Sequence, residues 1–268
     1  MSDTTFDWPA LVEALTRLLR LKTLPIGMKL FSDEAALAAM PGVRRPKARH
    51  TLDQIVGQAA RLGWTVGITA DDLALQQCGA VVGLHPQDEQ FQAGAFLTGV
   101  WYATPADSAA HQRALTTVPY GRYRALVVSP LARGLLDPPD ICLIYATPGQ
   151  MILLINGLQY RGYRKFEWSA VGETACADSW GRALATGEPS LSIPCYAERR
   201  FGGVADDELL LALPPRYLPP LIDGLQQLAA NGVRYPIPPF GIQADVRPGL
   251  PAHYPVLGRG ARPGEKPA

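Results

Sequence analysis

The sequence has no surplus of charge of either sign. Its 268 residues carry 25 basic and 24 acidic side chains, a formal net charge of +1. A nucleic-acid-binding chain normally shows a strong basic excess, so no nucleic-acid partner is expected. Long apolar runs are also missing. The longest, such as Ile141–Tyr145 and Met151–Ile155, fall far short of a membrane-spanning helix of about 20 residues, and no membrane partner is expected. The opening Met1-Ser2-Asp3-Thr4 lacks a basic region followed by an apolar stretch, which argues against a secretory leader and for a cytoplasmic protein. Cysteine is sparse: Cys78, Cys142, Cys176 and Cys195 lie far apart with no C-x-x-C spacing. They are expected to be thiols rather than a disulfide framework. The phosphate-loop, dinucleotide, H-E-x-x-H and G-x-S-x-G signatures are absent, so none of these common chemistries is assigned by motif.

What is present suffices for a core, since 47% of residues are hydrophobic and 18% charged. Leu11, Leu15, Leu18 and Leu19 recur at helical spacing within Trp8–Leu21. Strands are predicted over 26–31, 64–69, 124–129, 141–146, 165–169 and 190–195. Helices are predicted over 32–40, 51–62, 71–82, 149–160, 172–184 and 218–230. Thr51 with Gln54 three residues on reads as a capping box, and Gly63 as the matching stop. The pattern is α/β or α+β, a single domain over 1–232 with its core at roughly 14–228. A Pro/Gly-rich C-terminal arm over 233–268 could wrap a neighbouring subunit, which points to a homo-oligomer.

Two stretches echo each other in the order strand, helix, strand, helix: 26–82 and 141–184. Each last helix carries a cysteine, Cys78 or Cys176. Either short α/β units simply look alike, or the chain holds a loose duplication with both cysteines facing one cleft, where ligand sites are common.

Three blocks carry a family resemblance: Leu24-Pro25-Ile26-Gly27-Met28-Lys29-Leu30, the run from Pro138 to Met151, and Gly187–Cys195 followed by Arg199. Together they resemble the prokaryotic family filed as domain of unknown function 169. The resemblance covers roughly Ala14 to Leu228 and speaks to fold and limits more than to chemistry. It implies recurrent cysteines at Cys78, Cys176 and Cys195, and a further one near the start of the helix beginning at Thr51. This chain has no cysteine there.

Two chemistries are open. In the first, a cleft between the units binds or acts on a small aromatic or carboxylate-bearing compound. Cys195 and Tyr196 face it, Arg199 orients it through its bidentate fork, Lys29 adds a cation, and the Thr147, Gly149 and Gln150 turn binds its polar end. An enzyme is favoured under this reading, without a reaction class. In the second, Cys78, Cys176 and Cys195, completed by His50, hold zinc or an iron–sulfur cluster in a redox or accessory role. A non-catalytic sensing or assembly protein is the third class. Each residue also has a plainer reading: cysteines as small core hydrophobes, Arg199 in a surface ion pair. The basic run Arg44, Arg45, Lys47, Arg49 and His50 reads as a solvated loop or as an anion-binding edge.

Overall fold

The structure, a computed structural model, describes residues 6–249. The opening Met1–Thr4 and the distal part of the arm lie outside the described residues. The elements are α1 (Trp8–Leu19), β1 (Ile26–Phe31), α2 (Glu34–Ala38), α3 (Leu52–Leu62), β2 (Val66–Thr69), α4 (Gln76–Val81), α5 (Glu89–Gln92), α6 (Pro105–Ala114), β3 (Ala125–Pro130), β4 (Ile141–Ala146), α7 (Pro148–Gln159), α8 (Trp180–Thr186), β5 (Ser190–Ser192), α9 (Tyr196–Gly202), β6 (Leu209–Leu213) and α10 (Leu218–Ala230). Among the described residues no helix is long and apolar enough to cross a membrane.

The six strands form one sheet in the order β2-β3-β1-β4-β6-β5, with every neighbour antiparallel. This is an α+β fold. Met28 sits opposite both Val128 of β3 and Ile141 of β4, which fixes the register of the sheet centre. Side chains alternate between faces along a strand. Ile141, Leu143 and Tyr145 of β4 therefore point to one side, with Leu210, Ala212, Leu126 and Val128, against α3, α4 and α8. Cys142, Ile144 and Ala146 point to the other, against α1, α7 and α10. A strand buried on both faces needs an unbroken apolar run, and β4 has one.

The second half of the expected echo departs from the first. Lys165–Ser169 forms no strand, and the segment from 164 to 171 has no regular structure. Its Phe166 and Trp168 do alternate with Lys165, Glu167 and Ser169, but Trp168 stays about half exposed and the Phe166 ring packs under Arg164, with a Lys165–Glu167 ion pair at 3.0 Å beside them, so neither ring is buried against the sheet. The helix expected over 172–184 is split into a 3-10 turn at Ala175–Ala177 and α8. From Tyr235 to Gly249 the arm is largely exposed, with one 3-10 turn at its end.

Two glycine contacts set helix positions. A Cβ on Gly57 of α3 would lie 2.4 Å from the Gly202 carbonyl oxygen at the end of α9, and one on Gly224 would lie 2.2 Å from the Gly157 oxygen. Arg61 locks the first contact, its Nε donating to Gly202 O at 3.2 Å and its Nη2 to Glu208 Oε2 at 2.6 Å. Gly57→Ala should therefore cost about 1–3 kcal/mol by forced separation of α3 and α9. Gly149→Ala, whose Cβ meets nothing nearer than Tyr235 at 3.8 Å, should be neutral or stabilising by up to about 1 kcal/mol. Urea denaturation of both variants checks this, and the reverse order would be incompatible with the crossing described.

Candidate functional site

The α3–α9 contact brings the first turn of α3 onto the start of α9. Thr51 caps α3, its Oγ1 accepting from Gln54 N at 3.1 Å while Gln54 Oε1 accepts from Thr51 N at 2.9 Å. Asp53 follows in the first turn, where a carboxylate suits the helix dipole, yet it is buried. Its two oxygens lie 3.9 and 4.0 Å from the sulfur of Cys78 on α4. Cys78 in turn meets Cys176, on the 175–177 turn, at an Sγ–Sγ distance of 3.3 Å. Cys195 caps α9, with its backbone N donating to Glu198 Oε2 at 3.0 Å. Glu173 reaches the Cys195 thiol and the backbone of Tyr196 from the other side.

Thr174 holds Cys176 in place at a cost. Its φ is +60°, a left-handed conformation unfavourable for a β-branched residue and worth about 1–2 kcal/mol. Gln77 Nε2 donates to Thr174 Oγ1 at 2.5 Å. Cys78 is the next residue after Gln77, so the hydrogen bond that secures the strained turn also registers the two thiols against each other. Strain of this kind collects at functional sites.

The electrostatics of the cluster are one-sided. Burial pushes Asp53 up to about 6 and Glu198 up to about 8, the latter also through the facing Asp53. Glu173 is raised by burial. Cys176 is held well above the ordinary thiol value by donating to Cys78 and by burial. Cys78 gains thiolate character from that hydrogen bond, but burial and the carboxylates leave it raised. Burial and Glu198 raise Cys195 as well. Glu198 is 1% exposed and its Oε1 has no hydrogen-bond partner. Arg199, on the same helix, is the cation that acts on Glu198 and lowers it in part, while Arg61 is committed to Glu208 at 2.6 Å. Burial and mutual repulsion among these thiols and carboxyl groups thus favour their protonated forms. The side chains are not already closed around one point: among the described residues no group of three or more His, Cys, Asp or Glu forms a ready-made metal cage.

Residues 14–224, which include all six of these groups, match the family described as uncharacterised ArCR, domain of unknown function 169. The chain belongs to that family. An uncharacterised protein of Methanocaldococcus jannaschii is 21% identical over 89 residues, 33% of this chain and 38% of that protein. The aligned part thus spans well under half the length of that relative. No solved structure matches the chain.

In this family member the structure brings Cys78 and Cys176 together, places Cys195 at the cap of α9 beside Tyr196 and Arg199, and leaves Lys29, Thr147, Gly149 and Gln150 elsewhere. His50 lies outside the cluster, its Nδ1 2.6 Å from Ala48 O. Asp53, two residues into the helix for which the resemblance implied a further cysteine, stands where the fourth donor was sought. That resemblance was the only signal for it, because one acidic residue among 24 is otherwise unremarked. Tyr196 is half exposed, its ring 5.5 Å from that of Trp101. Arg199 donates to the backbone oxygens of Pro194, at 3.1 Å, and Ala205, and so fastens the loop around α9. Lys29 Nζ donates to Pro138 O at 2.9 Å. Thr147 and Gln150 form a capping box on α7, and Gln150 Nε2 donates to Leu19 O at 2.9 Å, on the opposite face of the sheet from Cys78 and Cys176. Gly149 lies in the same turn. Cys142 is a core residue of β4 on that opposite face, its thiol raised by burial alone.

The raised carboxyl groups imply a pH dependence with a definite sign. A carboxyl whose folded pKa exceeds its unfolded one stabilises the fold at low pH and loses that contribution as pH rises through the folded value. For reduced, chelator-treated protein, Tm should fall between about pH 4.5 and pH 8 as Asp53 and then Glu198 ionise. Glu198→Gln, which keeps a carbonyl oxygen for the Cys195 cap, should flatten the alkaline part of that fall. Equal slopes for wild type and variant in differential scanning fluorimetry would refute the assignment.

Proposed function

We propose that this protein holds a thiophilic divalent metal ion of the zinc type through Cys78, Cys176, Cys195 and Asp53, in a buried accessory role. The observation that carries this reading is the contact between two buried thiols, 3.3 Å apart, flanked by the Asp53 carboxylate at 3.9 Å. Zinc with Zn–S bonds of about 2.3 Å in a tetrahedron sets two sulfurs about 3.8 Å apart. The Cys78–Cys176 separation differs from that by only about half an ångström. Two thiols this close suit ligands of a single ion better than ligands of separate irons in a four-iron cluster. Cys195 would supply the third sulfur from the cap of α9.

The chemistry of the donors supports the same reading. Thiolates select soft or borderline ions, and a single carboxylate is an accepted fourth ligand. Each thiol is raised in the ion-free protein, so uptake must displace protons and should strengthen as pH rises. Glu198, protonated near neutrality, offers a hydrogen bond to the Cys195 sulfur. Such outer partners orient ligands and tune the ion.

Anaerobic purification followed by elemental analysis and a Co2+-substituted absorption spectrum tests this. The expected result is near-stoichiometric metal, a sulfur-to-cobalt charge-transfer band, and loss of both in Cys176→Ser. Asp53→Cys should retain the ion and intensify the band. A folded, metal-free protein whose Tm is unchanged by Zn2+ or chelator would overturn the proposal. So would a broad visible spectrum with several irons per chain, which marks a cluster instead.

A further inference from the structure

The basic run Arg44–His50 is not a loose loop. Arg44 extends the sheet beyond β2 by a parallel bridge to Val66, with Arg44 N donating to Thr65 O at 2.9 Å and Gly67 N to Arg44 O at 3.0 Å. At its other end His50 N donates to Asp72 O at 2.9 Å and Ala74 N to His50 O at 2.8 Å. Residues 45–49 therefore arch between two fixed points. Beneath the arch lies a cavity of about 590 Å³, lined by Arg44, Arg45, Lys47, His50, Gln58 and Trp64 among others, with no acidic side chain in its wall. Its volume lies within the usual range for small-ligand sites, about 300–1,000 Å³.

The wall has two kinds of chemistry. The Arg44 guanidinium lies over the Trp64 ring, 4.3 Å from its centre, so cation and aromatic form one flat stacked surface. Arg45 is anchored to Asp72 at 2.5 Å. His50 Nδ1 faces the Ala48 carbonyl at 2.6 Å and must be its donor, so in the neutral ring Nε2 is an acceptor and adds no donor for an anion. Lys47 is exposed in the arch between them. Several cations converging on one cavity exceed what a single carboxylate needs and match a phosphate group.

We propose that this cavity binds a small aromatic phosphate of nucleotide size. Its ring stacks on the Arg44–Trp64 pair, and its phosphate is held by Lys47 and the edge of the Arg44 guanidinium. The site uses none of the cysteines, so its fate and that of the metal centre are independent. A near-neutral chain with one confined basic arch favours a mononucleotide over a nucleic-acid strand, which needs a charged track along its backbone.

Isothermal titration with adenosine 5′-monophosphate, inorganic phosphate and adenosine tests this. Saturable binding of the monophosphate is expected, weakened about tenfold or more by Lys47→Ala and by Trp64→Leu. Inorganic phosphate should lose affinity in the Lys47 variant but not in the Trp64 variant, and adenosine should show the converse. Circular dichroism on both variants verifies the fold, and Lys47, being exposed, removes no core contact. The proposal is overturned by no binding of the monophosphate at millimolar concentration, by equal binding in wild type and Lys47→Ala, or by a single-stranded oligonucleotide outcompeting the monophosphate.

Discussion

Everything distinctive about this molecule depends on how closely α3 approaches α9. Two glycines meet there, and the space a Cβ would need on Gly57 is already filled by the Gly202 carbonyl. A helix pair separated by even one methyl group would carry Asp53 away from Cys195 and Glu198. The contact is then clamped from outside by Arg61, which reaches both Gly202 O and Glu208. A second fixed point, the left-handed Thr174 tied to Gln77, delivers Cys176 to Cys78. The site is thus assembled by backbone constraint rather than by long flexible side chains, which is the arrangement that holds reactive groups to fractions of an ångström.

The antiparallel sheet divides the labour. Its α1–α7–α10 face is an apolar core in which polar side chains serve the backbone: Gln150 satisfies Leu19 O, and the Thr147 cap closes α7. Its α3–α4–α8 face holds Cys78 and Cys176 beside Trp180, Leu52 and Ile55, with Asp53 and Glu198 buried as well. Burying such groups without a cation is expensive unless they stay protonated. The raised values of Asp53 and Glu198 are the form that cost takes.

What the sequence reveals follows from range. Capping chemistry is local, so the Thr51–Gln54 box and the Gly63 stop are visible in four to twelve residues and recur in the structure. The unbroken apolar run of β4 is equally plain. Strand direction is not local: β1 lies between β3 and β4, and nothing in any one segment states that every neighbour is antiparallel. The meeting of Cys78 and Cys176, 98 residues apart, was half legible, because an echo of elements placed each late in its unit, although the second unit lacks the strand that made the echo look regular. Arg199, Lys29 and Gln150 each complete backbone hydrogen bonds, a use the sequence does not display. A polar side chain beside a turn is as apt to complete a backbone hydrogen bond as to meet a ligand, and only coordinates tell which carbonyl lies within reach.

The presence of aspartate rather than a fourth thiol has a consequence for charge. Three thiolates and one carboxylate around a divalent ion would leave a buried excess of two negative charges by formal count, and a low-dielectric core penalises such an excess. In the proposed site Glu198 would answer this by remaining an acid. Burial raises its pKa to about 8 in the ion-free protein, where the Cys195 thiol donates to it; with Cys195 a thiolate, a retained carboxyl proton would be the donor in that same contact. A neutral donor spreads the negative charge of a thiolate without adding to it, whereas an ionised Glu198 would add a third. The same burial that makes Glu198 costly in the ion-free protein is what fits it to stand beside a charged centre.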